Sequence, residues 1–287
     1  MKAYWSDGRG RYATGESYEY FYMEEYEEAY KTLFNSSDGL WTYVEGEDGI
    51  ELARYNGNEL HVMVPSVIEG KKVTSLNSTF DGFYELKSAE IPDGVTSIEG
   101  AFYGCESLET VKLPEGLQDM TYALNCCFSL KTIKVPESVK DFSHAFEGTA
   151  IESFTFPQGT QIISNAFSGC EHLKSVTIPK SVTMSDEAFS DCEALKHVEL
   201  EEGIQKLDEY AFFHCTALKE LKIPESVMEF GEKSVGIMET REYVSKGAYR
   251  IKGYQTVPSF QIRGIPGSAA EQYANEHKIS FIEDRTL

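Results

Sequence analysis

The sequence predicts a solenoid, a stack of similar coils sharing one core, and three observations predict it. An apolar unit ending in proline recurs at Pro92, Pro114, Pro136, Pro157 and Pro179. It passes Glu201, where the proline is missing, and returns at Pro224, giving gaps of 22, 22, 21, 22, 22 and 23 residues. An Ala-Phe pair recurs at one register, at Ala101-Phe102, Ala145-Phe146, Ala166-Phe167, Ala188-Phe189 and Ala211-Phe212. Cysteine follows it at Cys105, Cys127, Cys170, Cys192 and Cys215. A fixed period in this range means that each unit has an apolar face it cannot bury alone and stacks on its neighbours.

Each unit opens with an L-x-x-V-x-L run, as in Leu173, Val176, Ile178 and in Leu195, Val198, Leu200. The last two apolar positions lie two apart, which is strand spacing with both side chains on one face. β-Branched residues there suit a pleated surface. The proline closes the strand because it has no N–H for the ladder. A turn and a second apolar pair follow, such as Val95/Ile98 or Val139/Phe142. The Ala-Phe column begins at Phe80 and is interrupted by Leu124, so one ring per rung is expected in a file along the core. The period also accounts for the cysteines, with Cys126 as the extra one. Side chains in one column point the same way, so free thiols used as small apolar fillers are expected in place of bridges.

The pattern L-x-x-L-x-L-P-x-x-L-x-x-I-x-x-x-A-F-x-x-C resembles the BspA-like class of leucine-rich repeats. It runs from about residue 62 to residue 230, more than half of the chain. Residues 41–70 look like that family's opening hairpin, and residues 262–282 like its closing strand, helix and strand. The resemblance implies a leucine-rich repeat solenoid: a curved right-handed β/α superhelix with a parallel sheet along one side, capped at both ends. It also implies a secreted or surface-attached protein used in adhesion and partner binding.

The expected organisation is an N-terminal cap over 1–61, repeats over 62–236, a hairpin-like insertion over 237–258, and the last rung with a C-terminal cap over 259–287. Tyr18, Tyr22, Tyr26, Ala29, Tyr30 and Leu33 fall at helical spacing and suggest a cap helix. A hairpin with its turn at Asp48-Gly49 should follow. Ser268 and Glu271 have capping-box spacing at the start of a short helix. Between them, a second hairpin is expected with its turn at Lys246-Gly247. It carries Arg241, Arg250 and Lys252 with Tyr243, Tyr249 and Tyr254, and Tyr and Arg are residue types that dominate binding hot spots.

The net charge of −21 argues against nucleic acid, which needs a basic face. No run of 18 apolar residues is present to span a membrane. Residues 1–12 are polar and aromatic and do not read as a signal peptide. With the family resemblance, the expectation is an extracellular or cell-surface protein whose signal is not in this chain, with a cytoplasmic protein as the alternative. The strand positions that face outward are less acidic than the rest. Their first column reads Lys87, Glu109, Lys131, Glu152, Lys174, Lys196, Lys219, and His197 lies in the second. Two readings fit: a cross-strand charge ladder that keeps the sheet soluble, or a surface that steers an acidic partner.

No catalytic motif is present, neither G-x-S-x-G nor H-E-x-x-H nor a phosphate loop. Cys170-Glu-His172 and His214-Cys215 do not supply four converging ligands, so no metal or other cofactor is expected. The expected function is a non-catalytic binding and adhesion module for a protein or glycan, acting as a monomer, with a structural spacer as the alternative. The candidate binding residues are those of the insertion together with Lys131, Lys174, Lys196, His197 and Lys219.

Overall fold

The computed structural model describes residues 4–6, 12–14, 32–183, 185–245 and 248–284. The chain is a β-solenoid of about 10 turns with parallel stacked strands and little helix. Its repeat strands form three parallel sheets in succession, each of three strands. The first joins His61–Met63, Ser88–Glu90 and Thr110–Lys112. The second joins Ser153–Thr155, Ser175–Ile178 and His197–Leu200. The third joins Glu220–Lys222, Gln261–Gly264 and Ser280–Glu283. The register is that of the repeat: Val176 lies opposite Phe154 on one side and Val198 on the other.

Between the first two sheets, residues 131–135 take no strand assignment. The break coincides with the single 21-residue gap, from Pro136 to Pro157, and with a knot of rings. Phe142, Phe154 and Phe156 pack edge-on here, with centroids 4.9 to 6.1 Å apart. The coil remains continuous because the opposite side is bonded from rung to rung. Phe102 N–H donates to Ala123 O at 2.9 Å, Leu124 N–H to Ala145 O at 3.0 Å and Phe146 N–H to Ala166 O at 3.0 Å.

That opposite side is made of turns that repeat in every rung. At one position the backbone is left-handed in each: Ser78, Gly100, Tyr122, His144, Asn165, Glu187, Tyr210 and Lys233 have φ between 48° and 57°. The conformation aims the N–H at the next coil. Tyr122 N–H donates to Ser143 O at 3.1 Å and Glu187 N–H to Glu209 O at 2.9 Å. These bonds give the left-handed N–H groups of the turns a partner on the next coil, which a buried turn requires.

The expected aromatic file is present. Phe80 stacks on Phe102 at 5.2 Å, Phe146 on Phe167 at 5.0 Å, Phe167 on Phe189 at 5.9 Å and Phe189 on Phe212 at 5.2 Å. All six rings are buried. Each contributes roughly 1.5–3 kcal/mol of burial. The thiols line the file. Cys105, Cys127, Cys170, Cys192 and Cys215 are buried and free, and each Sγ donates to the carbonyl of a Phe one rung earlier, at 3.1 or 3.2 Å.

At the N-terminal end a five-stranded sheet precedes the repeats, containing Leu33–Asn35, Trp41–Glu45, Ile50–Tyr55, Lys71–Leu76 and Val67–Ile68. The expected cap helix falls largely on residues outside the described ones. Leu33, the last position of its stripe, is instead exposed in a strand, because the chain turns at 36–40 and Leu33 pairs with Val44. Tyr4–Ser6 and Tyr12–Thr14 pair antiparallel.

At the other end the helix Ala269–His277 buries Ala270, Tyr273 and Ala274. The expected capping box is only half made. Ser268 Oγ makes no cap bond, and the Glu271 carboxylate accepts from Gly267 N–H at 2.6 Å, one residue before the cap.

Candidate functional site

The sheet face of the second block carries an open depression of about 880 Å³. Its floor is a patch of hydroxyls from two successive rungs, Ser153 and Thr155 beside Ser175 and Thr177. The parallel register places like residues next to each other, and period-2 alternation turns all four outward. Lys196, His197, Glu199, Lys219, Glu220 and Lys222 complete the rim.

Charge on this face is divided unevenly. Towards the N-terminal end four lysines meet carboxylates, and Lys131 has none among the pairs described. Lys87 pairs with Glu109 at 3.2 Å, Lys112 with Glu90, Lys134 with Glu115 at 3.0 Å and Lys174 with Glu152 at 2.6 Å. The Lys174 bond holds the Glu152 carboxyl below its usual range, and Glu90 raises the Lys112 ammonium in the same way. These are exposed pairs, screened by solvent and of little weight in stability.

At the depression the alternation fails. Lys174, Lys196 and Lys219 follow one another in a single column, and only the first has a carboxylate among the pairs described. Lys219 Nζ is held by two carbonyls, Thr216 O at 2.8 Å and Pro258 O at 3.1 Å. Lys222 is neutralised by Asp284 at 2.7 Å. Glu220 is gripped by Arg263 through two bonds, 2.7 and 3.1 Å, which hold its carboxyl low. The exposed cationic groups left at the rim are Lys196 and Lys219, with His197 between them in sequence.

The insertion is a ribbon of two nine-residue strands, Ile237–Ser245 and Ala248–Thr256, paired antiparallel. Its expected turn, Lys246-Gly247, lies outside the described residues, as do the side chains of Arg241, Tyr243 and Tyr249. Arg250 is exposed, and Lys252 pairs with Glu242 at 3.1 Å. Tyr254 is fastened to the solenoid. It meets Phe213 edge-on at 6.1 Å and carries the Lys233 ammonium 4.3 Å from its ring centre. The insertion thus gives the three candidate side chains described in it, Arg250, Lys252 and Tyr254, separate surroundings. Its foot meets the sheet side at Pro258, whose carbonyl holds Lys219.

Lys131, Lys174, Lys196, His197 and Lys219 share the sheet side, and the last three line the depression. The four hydroxyls of its floor were not singled out from sequence, although S-x-T in successive units was the available signal. Among the described residues no group of three or more His, Cys, Asp or Glu is placed to hold a metal ion. No helix among them is long and apolar enough to cross a membrane.

Comparison with known families matches the BspA type leucine rich repeat region, in six copies over residues 74–144 and 142–240. The chain belongs to that family. A leucine-rich repeat protein from Bacteroides ovatus is similar in fold, with a TM-score of 0.63 and 24% identity. The BspA-type chain covers 82% of its own length in that match and spans 61% of the B. ovatus chain. The T. pallidum leucine rich repeat protein is 27% identical over 71% of this chain and 84% of its own, with a TM-score of 0.45. A leucine rich cell surface protein from Faecalibacterium prausnitzii matches at 20% identity, with 89% of this chain and 95% of that one covered and a TM-score of 0.30. A search of curated proteins finds no match.

Proposed function

We propose that this BspA-type solenoid is a non-catalytic binding module that holds a protein or glycan against the sheet side, at the depression rimmed by Lys196, His197 and Lys219. The observation that carries this reading is the failure of charge pairing there. Four lysines elsewhere on the face are matched by carboxylates, whereas Lys196 and Lys219 follow one another with none in the pairs described. Neighbouring like charges on a sheet are unfavourable, so their retention beside a recess favours a ligand that neutralises them. The insertion stands beside this site and supplies the carbonyl that steadies Lys219.

Display outside the cytoplasm is part of the same reading and rests on the family. Five buried thiols, protonated and bonded to carbonyls, are compatible with an oxidising milieu, since the thiolate is the reactive form. A spacer without a ligand is the second reading, and the paired lysines of the N-terminal rungs favour it.

The test is an array of immobilised glycans and matrix proteins probed with the full chain, with Lys196→Glu/Lys219→Glu, and with Arg250→Ala/Lys252→Ala. Signals lost only in the sheet variant support the reading. Signals lost only in the insertion variant move the site to the ribbon, and the absence of any signal favours the spacer.

A further inference from the structure

Building on the sheet-side reading, we infer that the ligand class is an acidic glycan, a polysaccharide bearing carboxylates along a hydroxyl-rich chain. Two features of the depression meet in such a ligand. The Lys196 and Lys219 ammonium groups, on successive rungs, suit negative charge that repeats along the solenoid axis. The floor offers Ser153, Thr155, Ser175 and Thr177, and a hydroxyl both donates and accepts. A surface that alternates roles in this way matches the hydroxyls of a sugar better than the apolar side chains of a peptide. The large aromatic and apolar side chains that line the recess, which would centre a protein–protein hot spot, are Phe154 and Val176, both buried, and Val198, half-buried.

Spacing agrees with chemistry. Rungs of a parallel sheet repeat every ~4.8 Å, about the advance of one sugar unit, so a polysaccharide lying across the strands meets one rung per residue. An extended peptide advances ~3.3 Å per residue with side chains alternating in direction, and falls out of step with the lysine column. The chain's net charge of −21 does not prevent this attraction. At physiological ionic strength screening sets in beyond ~8 Å, so the local ammonium groups dominate at contact.

The probe is polygalacturonate, with uncharged dextran and poly-glutamate as comparators, measured by titration calorimetry or biolayer interferometry on the full chain. The expected result is saturable binding of polygalacturonate and none of dextran. Lys196→Ala/Lys219→Ala should weaken it at least tenfold. Lys112→Ala/Lys134→Ala, which makes the same change in net charge at paired lysines, should leave it within about twofold. Poly-glutamate binding as tightly overturns the glycan assignment and points to an acidic peptide. Equal loss in both double variants overturns the site. If polygalacturonate does not bind at all, the ligand class is wrong. Signals on the array that depend on Lys196 and Lys219 would in that case still uphold the sheet-side reading, so the two failures are separable.

Discussion

Cys192 Sγ donates to the carbonyl oxygen of Phe167, 3.1 Å away and one rung earlier. The same relationship joins Cys105 to Phe80, Cys127 to Phe102, Cys170 to Phe146 and Cys215 to Phe189. Each thiol both fills the turn beside the aromatic file and takes the second lone pair of a carbonyl that already accepts a turn N–H, as Phe167 O does from Cys170 N–H at 3.1 Å. Removing one, as in Cys192→Ala, leaves a small void and costs the Phe167 carbonyl its second bond, while the one from Cys170 N–H remains. A loss of about 1–2 kcal/mol is expected in denaturant unfolding.

Alkaline pH should unfold the protein through the same thiols. Burial pushes Cys170 up to about 12, raises Cys127 and Cys192 well above their ordinary value, and raises Cys105 and Cys215 as well. A thiol whose folded pKa is raised contributes full stability below its unfolded pKa of ~8.5, and loses it as pH rises from there towards the folded value. Between the two pKa values the unfolded state binds fewer protons than the folded one, so stability falls. Each thiol adds up to ~1.4 kcal/mol per pH unit to the slope. Denaturant midpoints measured from pH 8 to 11 should drop steeply, and less so for Cys192→Ala/Cys215→Ala.

The ring file should show graded sensitivity. Phe167 is fully buried and stacks on Phe146 and Phe189. Phe167→Ala is expected to cost about 3–5 kcal/mol. Phe167→Leu should cost only about 1–2 kcal/mol, because Leu124 already fills the equivalent slot two rungs away with no exposure. Thermal or chemical unfolding of the two variants distinguishes a ring-specific file from a merely apolar one.

Two glycines separate backbone strain from crowding. Gly169 has φ +69° with nothing within 4 Å of an added Cβ, and Gly236 has φ +71° with the Phe260 ring 2.3 Å from that position. Gly169→Ala should cost about 1 kcal/mol, the left-handed penalty alone. Gly236→Ala should cost clearly more, since Phe260 is buried and must move.

The insertion should loosen when its pin is removed. Tyr254 is 51% exposed yet packs on Phe213 and Lys233. A two-stranded ribbon is marginal without such support. Tyr254→Ala is expected to accelerate protease cleavage within 237–258 several-fold while shifting Tm by only a few degrees, as a cation–π contact at an exposed site contributes about 0.5–1 kcal/mol.

The sequence states periodic features plainly and hides those that depend on neighbours. Phe102, Phe146, Phe167 and Phe189 announce the file because identical residues recur at one register, and stacking follows from the period. Lys174 and Glu152 were legible as a cross-rung pair for the same reason. The run of Lys174, Lys196 and Lys219 in one column was legible too, but the lack of a carboxylate beside the last two was not. It depends on Lys222 reaching Asp284 and on Lys219 turning to Thr216 and Pro258 carbonyls, contacts outside the column. The acceptor of each thiol was hidden because it lies on the preceding coil. The left-handed turns at Tyr122, His144 and Glu187 gave no signal either, since glycine, the usual marker, occupies that position in only one rung, at Gly100.

Lysine footprinting by mass spectrometry reads ligand contact at Lys196 and Lys219 residue by residue. The full chain is labelled with an amine-reactive reagent in the presence and absence of saturating polygalacturonate. The account expects Lys196 and Lys219 to lose reactivity while Lys112, Lys134 and Lys252 keep theirs. Protection of Lys252 with Lys196 and Lys219 unchanged would contradict it.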